Sequence, residues 1–282
     1  MLPGVLGDAD ARDDGRGETY SYGSGAELRG AKGEGQVAIG GLSGTSSLQL
    51  VRSVGCTTAI PRCPVSRIPA AQYGIQGDGL PGEGFKAILG TNMSITRIAN
   101  PFTAIGVHRW IVELPRPGEH SAGRIILNPT DAEAAGFANF PLDPNRAGLG
   151  GGLHDAIAGC LINAQSKAKA CGAVMLDCGA PGIDVENSGL GGRAWPDGTE
   201  AILGFYDAAG RLQAAEALTI GVRAHASHMR VSQNARRQGT AIFSGLTAYF
   251  AYAVLYDADH QTVGLKARPP APGGPKAIAP GG

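Results

Sequence analysis

Hydrophobic residues occur in short runs along the chain and do not repeat at helical spacing. Gly, Pro, Ser and Asn separate the runs, a pattern typical of strands joined by turns. The clearest runs are Val37–Ile39, Leu48–Val51, Phe85–Leu89, Trp110–Leu114, Arg124–Leu127, Ala158–Ile162, Ala173–Leu176, Ala201–Tyr206, Leu218–Val222, Ala241–Phe243 and Ala251–Tyr256. Leu246–Phe250 is predicted as a short helical turn. The pattern predicts an all-β protein.

Composition supports this fold class and narrows the choice of partner. The 45 glycines and 18 prolines exceed what helix interiors tolerate. Lys plus Arg equals Asp plus Glu at 24 each, so the chain lacks the basic field that nucleic acids or anionic membranes require. We therefore expect a neutral substrate or partner, and neither nucleic acid nor an anionic membrane.

The cysteines predict two local disulfides. Cys56 and Cys63 flank a short segment with proline, and Cys160 and Cys171 bracket a polar stretch, so each pair is expected to close a hairpin-like loop. Reduced buried thiols are the alternative. Disulfides would place the protein in the periplasm or outside the cell, although the N-terminus shows no signal-peptide pattern.

One apolar run ends in an acid. Ala173–Leu176 is followed by Asp177, Cys178 and Gly179, which predicts a carboxylate at the end of a strand, where the backbone N–H groups of the next turn can bind it. Such an arrangement suits a catalytic acid, and an ordinary turn-forming aspartate is the alternative.

Four segments together resemble the pepsin-like and retropepsin-like aspartic peptidases of bacterial type. The Asp177–Ala180 segment resembles their Asp-Thr/Ser-Gly signature, and Tyr20–Gly25 followed by Gln36–Gly41 is similar to the flap hairpin. Phe85–Gly90 resembles the hydrophobic-hydrophobic-Gly element, and Ile242–Leu265 resembles the closing strands.

The resemblance implies a bilobal, monomeric all-β peptidase that acts on a peptide or protein substrate, with no membrane partner, metal or cofactor expected. Residues 1–18 would be a loose lead-in, 19–130 a partial N-terminal lobe with the flap, 131–265 the C-terminal lobe, and 266–282 a disordered tail. Asp177 would be catalytic, with support from Cys178, Gly179 and Ala180. The flap residues that contact substrate would be Tyr22, Gly23 and Ser24.

The chain departs from this family at two points. The residues before Tyr22 hold no acid that follows an apolar strand or precedes Thr-Gly or Ser-Gly, so the first catalytic aspartate is missing. Cys178 replaces a hydroxyl residue, and a thiol is a weaker donor. We therefore expect little or no proteolysis, because peptidases of this class use two carboxylates that share a proton.

Several alternatives stay open at this stage. The chain is either a fragment of a longer peptidase or an inactive homologue. A different class of function is a non-catalytic β protein that binds peptide or glycan in its cleft. His225 and His228 have a spacing that a helix could use for metal, but the residues around them have a strand-like pattern, so a metal site is not expected.

Overall fold

The structure, a computed structural model, describes residues 11–22, 24–67, 87–93, 98–120, 122–142, 156–234, 238–272 and 274–278. It is mostly β, which confirms the predicted fold class. The chain divides into two compact units. The first comprises residues 1–91 and 95–106, and the second comprises 92–94 and 107–282. The division at residues 106 and 107 differs from the predicted lobe boundary at 130.

The first unit contains an antiparallel meander of three long strands. These are β1 (Ala11–Ser21), β2 (Ala26–Ile39) and β3 (Leu42–Cys56), paired in the order β1-β2-β3. Gly40 and Gly41, both with positive φ, form the two-residue turn between β2 and β3, where the twist of a hairpin favours glycine. The described part of this unit also contains a 3-10 turn at Pro64–Arg67 and helix α1 (Pro101–Ala104).

Strand β1 covers residues that their composition predicted to be a loose lead-in. Residues 11–18 carry Asp13 and Asp14 and little apolar surface, yet they pair with β2 from Ala11↔Gly35 onward. The strand is ordered by its backbone ladder, because its side chains are mostly exposed and alternating apolar positions are lacking.

One face of the first unit packs around a small apolar cluster. The buried members are Ala26, Leu28, Val51, Val54, Cys63 and Val65, with Tyr22 and Cys56 packed against them. The cluster ties the hairpin between β1 and β2 to the turn that follows β3.

The described part of the second unit contains two sheets and two short helices. The strands are β4 (Arg109–Glu113), β5 (Arg124–Leu127), β6 (Ala138–Pro141), β7 (Ala156–Asn163), β8 (Lys169–Met175), β9 (Ile183–Glu186), β10 (Glu200–Tyr206), β11 (Leu212–Thr219), β12 (Met229–Ser232), β13 (Ala241–Phe243), β14 (Tyr252–Asp257), β15 (Thr262–Ala267) and β16 (Lys276–Ile278). The helices are α2 (Asp131–Ala134) and α3 (Thr247–Ala251). A 3-10 turn spans Arg223–His225.

Strand order in the larger sheet places a late strand between two earlier ones. The order is β12-β9-β13-β8-β7-β10-β11-β16. Strand β13 is parallel to β8 and antiparallel to β9, and β12 is parallel to β9. The chain after β8 therefore leaves the sheet, returns as β9, and leaves a gap that β13 fills.

The smaller sheet has the order β5-β4-β14-β15-β6 and is antiparallel throughout. Aromatic side chains pack it against the larger sheet. Phe205 from β10 lies between Phe140 of β6 and Tyr252 of β14, with ring centroids 6.2 and 6.0 Å away. Trp110 is fully buried and stacks on Tyr256 at 5.5 Å. The core of this unit lies between the two sheets.

The C-terminal segment is more ordered than its composition predicted. The predicted disordered tail began at residue 266, but β15 continues to Ala267, and β16 pairs with β11 through Ala215↔Ile278 and Ala217↔Lys276. Strand β11 offers a free edge there, and a short Pro- and Gly-rich segment can add to such an edge without an apolar core of its own.

Candidate functional site: the Asp177 loop

Asp177 lies just beyond the end of a central strand. Strand β8 is paired on both sides, by β7 and by β13. Its last residues and Leu176 are largely buried. Residues 176–182, here called the Asp177 loop, then lead to β9. The half-buried carboxylate is therefore at the strand terminus, as the sequence pattern predicted.

The turn that follows contacts both the side chain and the main chain of Asp177. Gly179 donates its N–H to Asp177 Oδ1 at 2.9 Å, and the Ala180 N–H donates to the Asp177 main-chain carbonyl at 3.2 Å and also lowers the pKa of the carboxyl group. Burial raises the pKa of Asp177 above its ordinary value, and this effect exceeds the lowering by the two N–H groups. The carboxyl group therefore keeps its proton to a higher pH than an exposed aspartate does.

Strand β13 and the turn after it brace this loop from one side. The Ser244 N–H donates to the Met175 carbonyl at 3.0 Å, which extends the pairing of β13 with β8 past the strand end. Gly245 has φ +59° and packs on the loop so closely that a Cβ there would be 2.9 Å from the Ala180 carbonyl oxygen and closer still to that of Gly182. A glycine is required at 245 on both grounds.

His228 lies against the same loop from another direction. A Cβ on Gly182 would overlap the His228 imidazole, and the Ile183 N–H donates to the His228 carbonyl at 2.9 Å. His225 belongs to the 3-10 turn Arg223–His225. No group of three or more His, Cys, Asp or Glu residues that could hold a metal ion occurs within the described ranges.

Helix α3 supplies two buried hydroxyl groups behind the loop. Thr247 Oγ1 donates to the Ser244 carbonyl at 2.8 Å, and Tyr249 donates its hydroxyl to the Leu176 carbonyl at 3.4 Å. The Tyr249 and Tyr256 hydroxyl groups are 2.7 Å apart. These contacts hold the ends of both β8 and β13 where the Asp177 loop begins.

Glu216 is a buried acid that the sequence interpretation missed. It is 0% exposed, and its Oε1 is 3.0 Å from Thr247 Oγ1. The available signal was an acid in register with Ala214 and Leu218 on one face of a strand, where an apolar residue is expected.

The proposed flap residues belong to the hairpin between β1 and β2 in the first unit. The Tyr22 N–H donates to the Ala26 carbonyl at 2.8 Å, and the Gly25 N–H donates to the Tyr22 carbonyl at 2.9 Å. Tyr22 is half-buried and contacts Tyr20 edge to face, with 4.8 Å between ring centroids. Ser24 is exposed in the turn, and Gly23 lies outside the described residues.

Both predicted disulfides form. Cys56 joins Cys63, and Cys160 joins Cys171 directly across the ladder of β7 and β8. Cys178 is the fifth cysteine of the chain, stays outside both disulfides and is half-buried in the Asp177 loop.

No family model matches this chain, and no curated protein matches it. Within the described ranges, the helices are all too short or too polar to span a membrane.

Proposed function

We propose that the chain is an aspartic endopeptidase homologue of the pepsin-like class, in which Asp177 is the catalytic carboxyl group of the second unit. The observation that carries the proposal is the half-buried Asp177 at the end of a doubly paired strand, where its carboxylate accepts the Gly179 N–H and its pKa is raised by burial. Perturbed titration of this kind is typical of acids that transfer protons.

The chemistry follows from how two carboxyl groups share a proton. When two such groups lie close together, they cannot both ionise, so one acts as a base on a bound water while the other donates a proton toward the scissile carbonyl. Asp177, whose pKa is raised, would be suited to hold the shared proton. A single carboxyl group cannot perform both roles, so we expect Asp177 without a partner carboxylate to support peptide binding and little or no cleavage.

The proposed substrate is a peptide or protein segment that binds at Asp177 of the second unit. The net charge of zero favours neutral segments. The two disulfides support a periplasmic or secreted protein.

The test is binding of a statine-containing peptide, whose secondary hydroxyl group is designed to hydrogen-bond to catalytic carboxyl groups. Fluorescence anisotropy at about pH 4.5, near the ordinary carboxyl pKa, should show saturable binding that Asp177→Asn weakens about 10- to 100-fold, the value of one hydrogen bond to a charged group. Asp131→Asn is the matched control, because the Asp131 side chain is 95% exposed in the same unit. Equal binding by the wild type and Asp177→Asn would refute the proposal.

A non-catalytic protein that binds peptide or glycan is the second candidate. The observation in its favour is Cys178, since a thiol next to Asp177 is a poor replacement for a hydroxyl donor. This candidate predicts binding of unmodified peptide or glycan that is unchanged in Asp177→Asn, with no preference for the statine hydroxyl group.

A further inference from the structure

Glu216 occupies a position in β11 where its side chain has no access to solvent. In the sheet it is opposite Leu203 of β10 and Ala277 of β16, neither of which carries a charge. Its Oε1 contacts Thr247 of α3, and its Oε2 is buried and has no hydrogen-bond partner among the residues that the structure describes. A buried carboxylate with one unpartnered oxygen is far from its most stable environment, so a structural role alone explains it poorly.

The single hydroxyl proton of Thr247 determines which group donates in its hydrogen bond with Glu216. A threonine hydroxyl has one proton to donate, and Thr247 Oγ1 is 2.8 Å from the Ser244 carbonyl oxygen. If that proton goes to Ser244, the 3.0 Å contact between Thr247 Oγ1 and Glu216 Oε1 needs a proton from Glu216. Both hydrogen bonds can exist together only when Glu216 is neutral.

Ionised Glu216 would reverse this arrangement. A carboxylate has no proton to donate and would accept the one from Thr247, which leaves the buried Ser244 carbonyl without its donor from Thr247. Ser244 and Gly245 form the turn that braces the Asp177 loop, through the bond from the Ser244 N–H to Met175 and the packing of Gly245 on Ala180. The protonation of Glu216 is therefore linked to the support of the Asp177 loop.

The surroundings of Glu216 favour its neutral form. Burial raises the pKa of Glu216 to about 8, against a smaller lowering by Thr247. Tyr252 of β14, from the smaller sheet, interacts with it: the Tyr252 hydroxyl donates to the Ala215 carbonyl, and the pKa of Tyr252 is raised by burial and by Glu216. On β16, Lys276 is next to Ala277 and so faces the opposite side of the sheet.

We propose that Glu216 is a positioning residue for Asp177. The Glu216 proton completes a hydrogen-bond chain through Thr247 to the Ser244–Gly245 turn. Loss of the proton above about pH 8, where the acid titrates, releases the turn and loosens the Asp177 loop. The consequence for catalysis rests on the proposed function, whereas the link between Glu216 and the loop does not.

The alkylation rate of Cys178 tests the link without any need for peptidase activity. Cys178 lies in the Asp177 loop, and the other four cysteines are in disulfides, so iodoacetamide reports on this loop alone. Comparing the wild type with Glu216→Gln at each pH cancels the titration of the thiol itself. The alkylation rate of the wild type divided by that of Glu216→Gln should be near 1 at about pH 6.5. It should rise about 3- to 10-fold at about pH 9.5, which corresponds to the loss of one hydrogen bond.

A second pair of variants covers the case in which Glu216→Gln does not fold. Thr247→Val removes the linking hydroxyl group and should give fast alkylation at every pH, while Thr247→Ser keeps the wild-type profile. A wild-type to Glu216→Gln ratio that stays at 1, or a Thr247→Val profile equal to that of the wild type, overturns the inference. If the ratio rises with pH but the statine peptide binds the wild type and Asp177→Asn equally, the link between Glu216 and the loop is supported and the peptidase assignment is refuted.

Discussion

Replacing Glu216 with glutamine should change how the stability of the second unit depends on pH. Glutamine has nearly the same shape and can donate to Thr247 Oγ1, but it cannot ionise. In the wild type, the folded-state pKa of Glu216 is about 8, against an ordinary value of 4.5. The folded protein therefore binds one more proton than the unfolded chain between these values, and its stability falls as pH rises through that window.

The size of the effect follows from the difference between the two pKa values. At about 1.4 kcal/mol per unit, the gap from 4.5 to about 8 corresponds to about 5 kcal/mol. The stability of Glu216→Gln relative to the wild type should thus rise by about this amount from about pH 4.5 to above pH 8, and be constant outside the window. Any fixed cost of burying the amide shifts the difference equally at all pH values.

Urea unfolding followed by tryptophan fluorescence measures this difference. Trp110 and Trp195 both belong to the second unit, and buried Trp110 will report its unfolding. Glu34→Gln, at an exposed position of β2, is the control for loss of one charge. A difference between Glu216→Gln and the wild type that does not change with pH would refute the reasoning, because it would mean that Glu216 is ionised or solvated in the folded protein.

Three further predictions concern the loop and its strand. Gly245→Ala should destabilise the second unit by about 1–3 kcal/mol more than Gly239→Ala in thermal unfolding, because both positions have positive φ but only Gly245 packs on the loop. Asp177→Asn should be at least as stable as the wild type at neutral pH, since burial disfavours the charged form; a clear loss of stability in chemical denaturation would contradict this. Replacing Cys160 and Cys171 together by serine should cost about 3 kcal/mol for this separation of 11 residues, as measured by urea unfolding.

Short apolar runs between turn residues were sufficient to predict most strands of the second unit. Arg124–Leu127 and Ala241–Phe243 match β5 and β13 at both ends. The predicted helical turn at 246–250 overlaps α3 with a shift of one residue. Both strands contain isoleucine, which favours strand; β13 is also largely buried, whereas β5 is partly exposed, so local preference alone accounts for the β5 prediction.

Backbone pairing with neighbouring strands explains β1 and β16, which the pattern of apolar residues did not predict. Strand β1 is polar and rich in glycine, and β16 follows a segment rich in proline, so neither has the alternating apolar positions that mark a strand. Each is ordered by the edge of a neighbouring strand, a contact between distant parts of the chain. Residues 87–89 of the predicted strand Phe85–Leu89 are not in a strand, and Phe85 and Lys86 lie outside the described residues.

The candidate site was predictable only in part for the same reason. Asp177 follows an apolar run, so its place at a strand end could be predicted from adjacent residues. Glu216 and Thr247 are 31 positions apart, and their contact depends on how α3 packs on β11. The link from Glu216 to the Asp177 loop therefore emerges only from the fold.

Carboxyl-carbon NMR of Asp177 tests the central claim most directly, with Asp177→Asn to assign the resonance. A working acid at the end of β8 should titrate above the ordinary aspartate value of 3.8, the direction that burial imposes, and its resonance should move when the statine peptide is added. A carboxyl group that titrates at or below 3.8 and does not respond to the peptide would contradict the account.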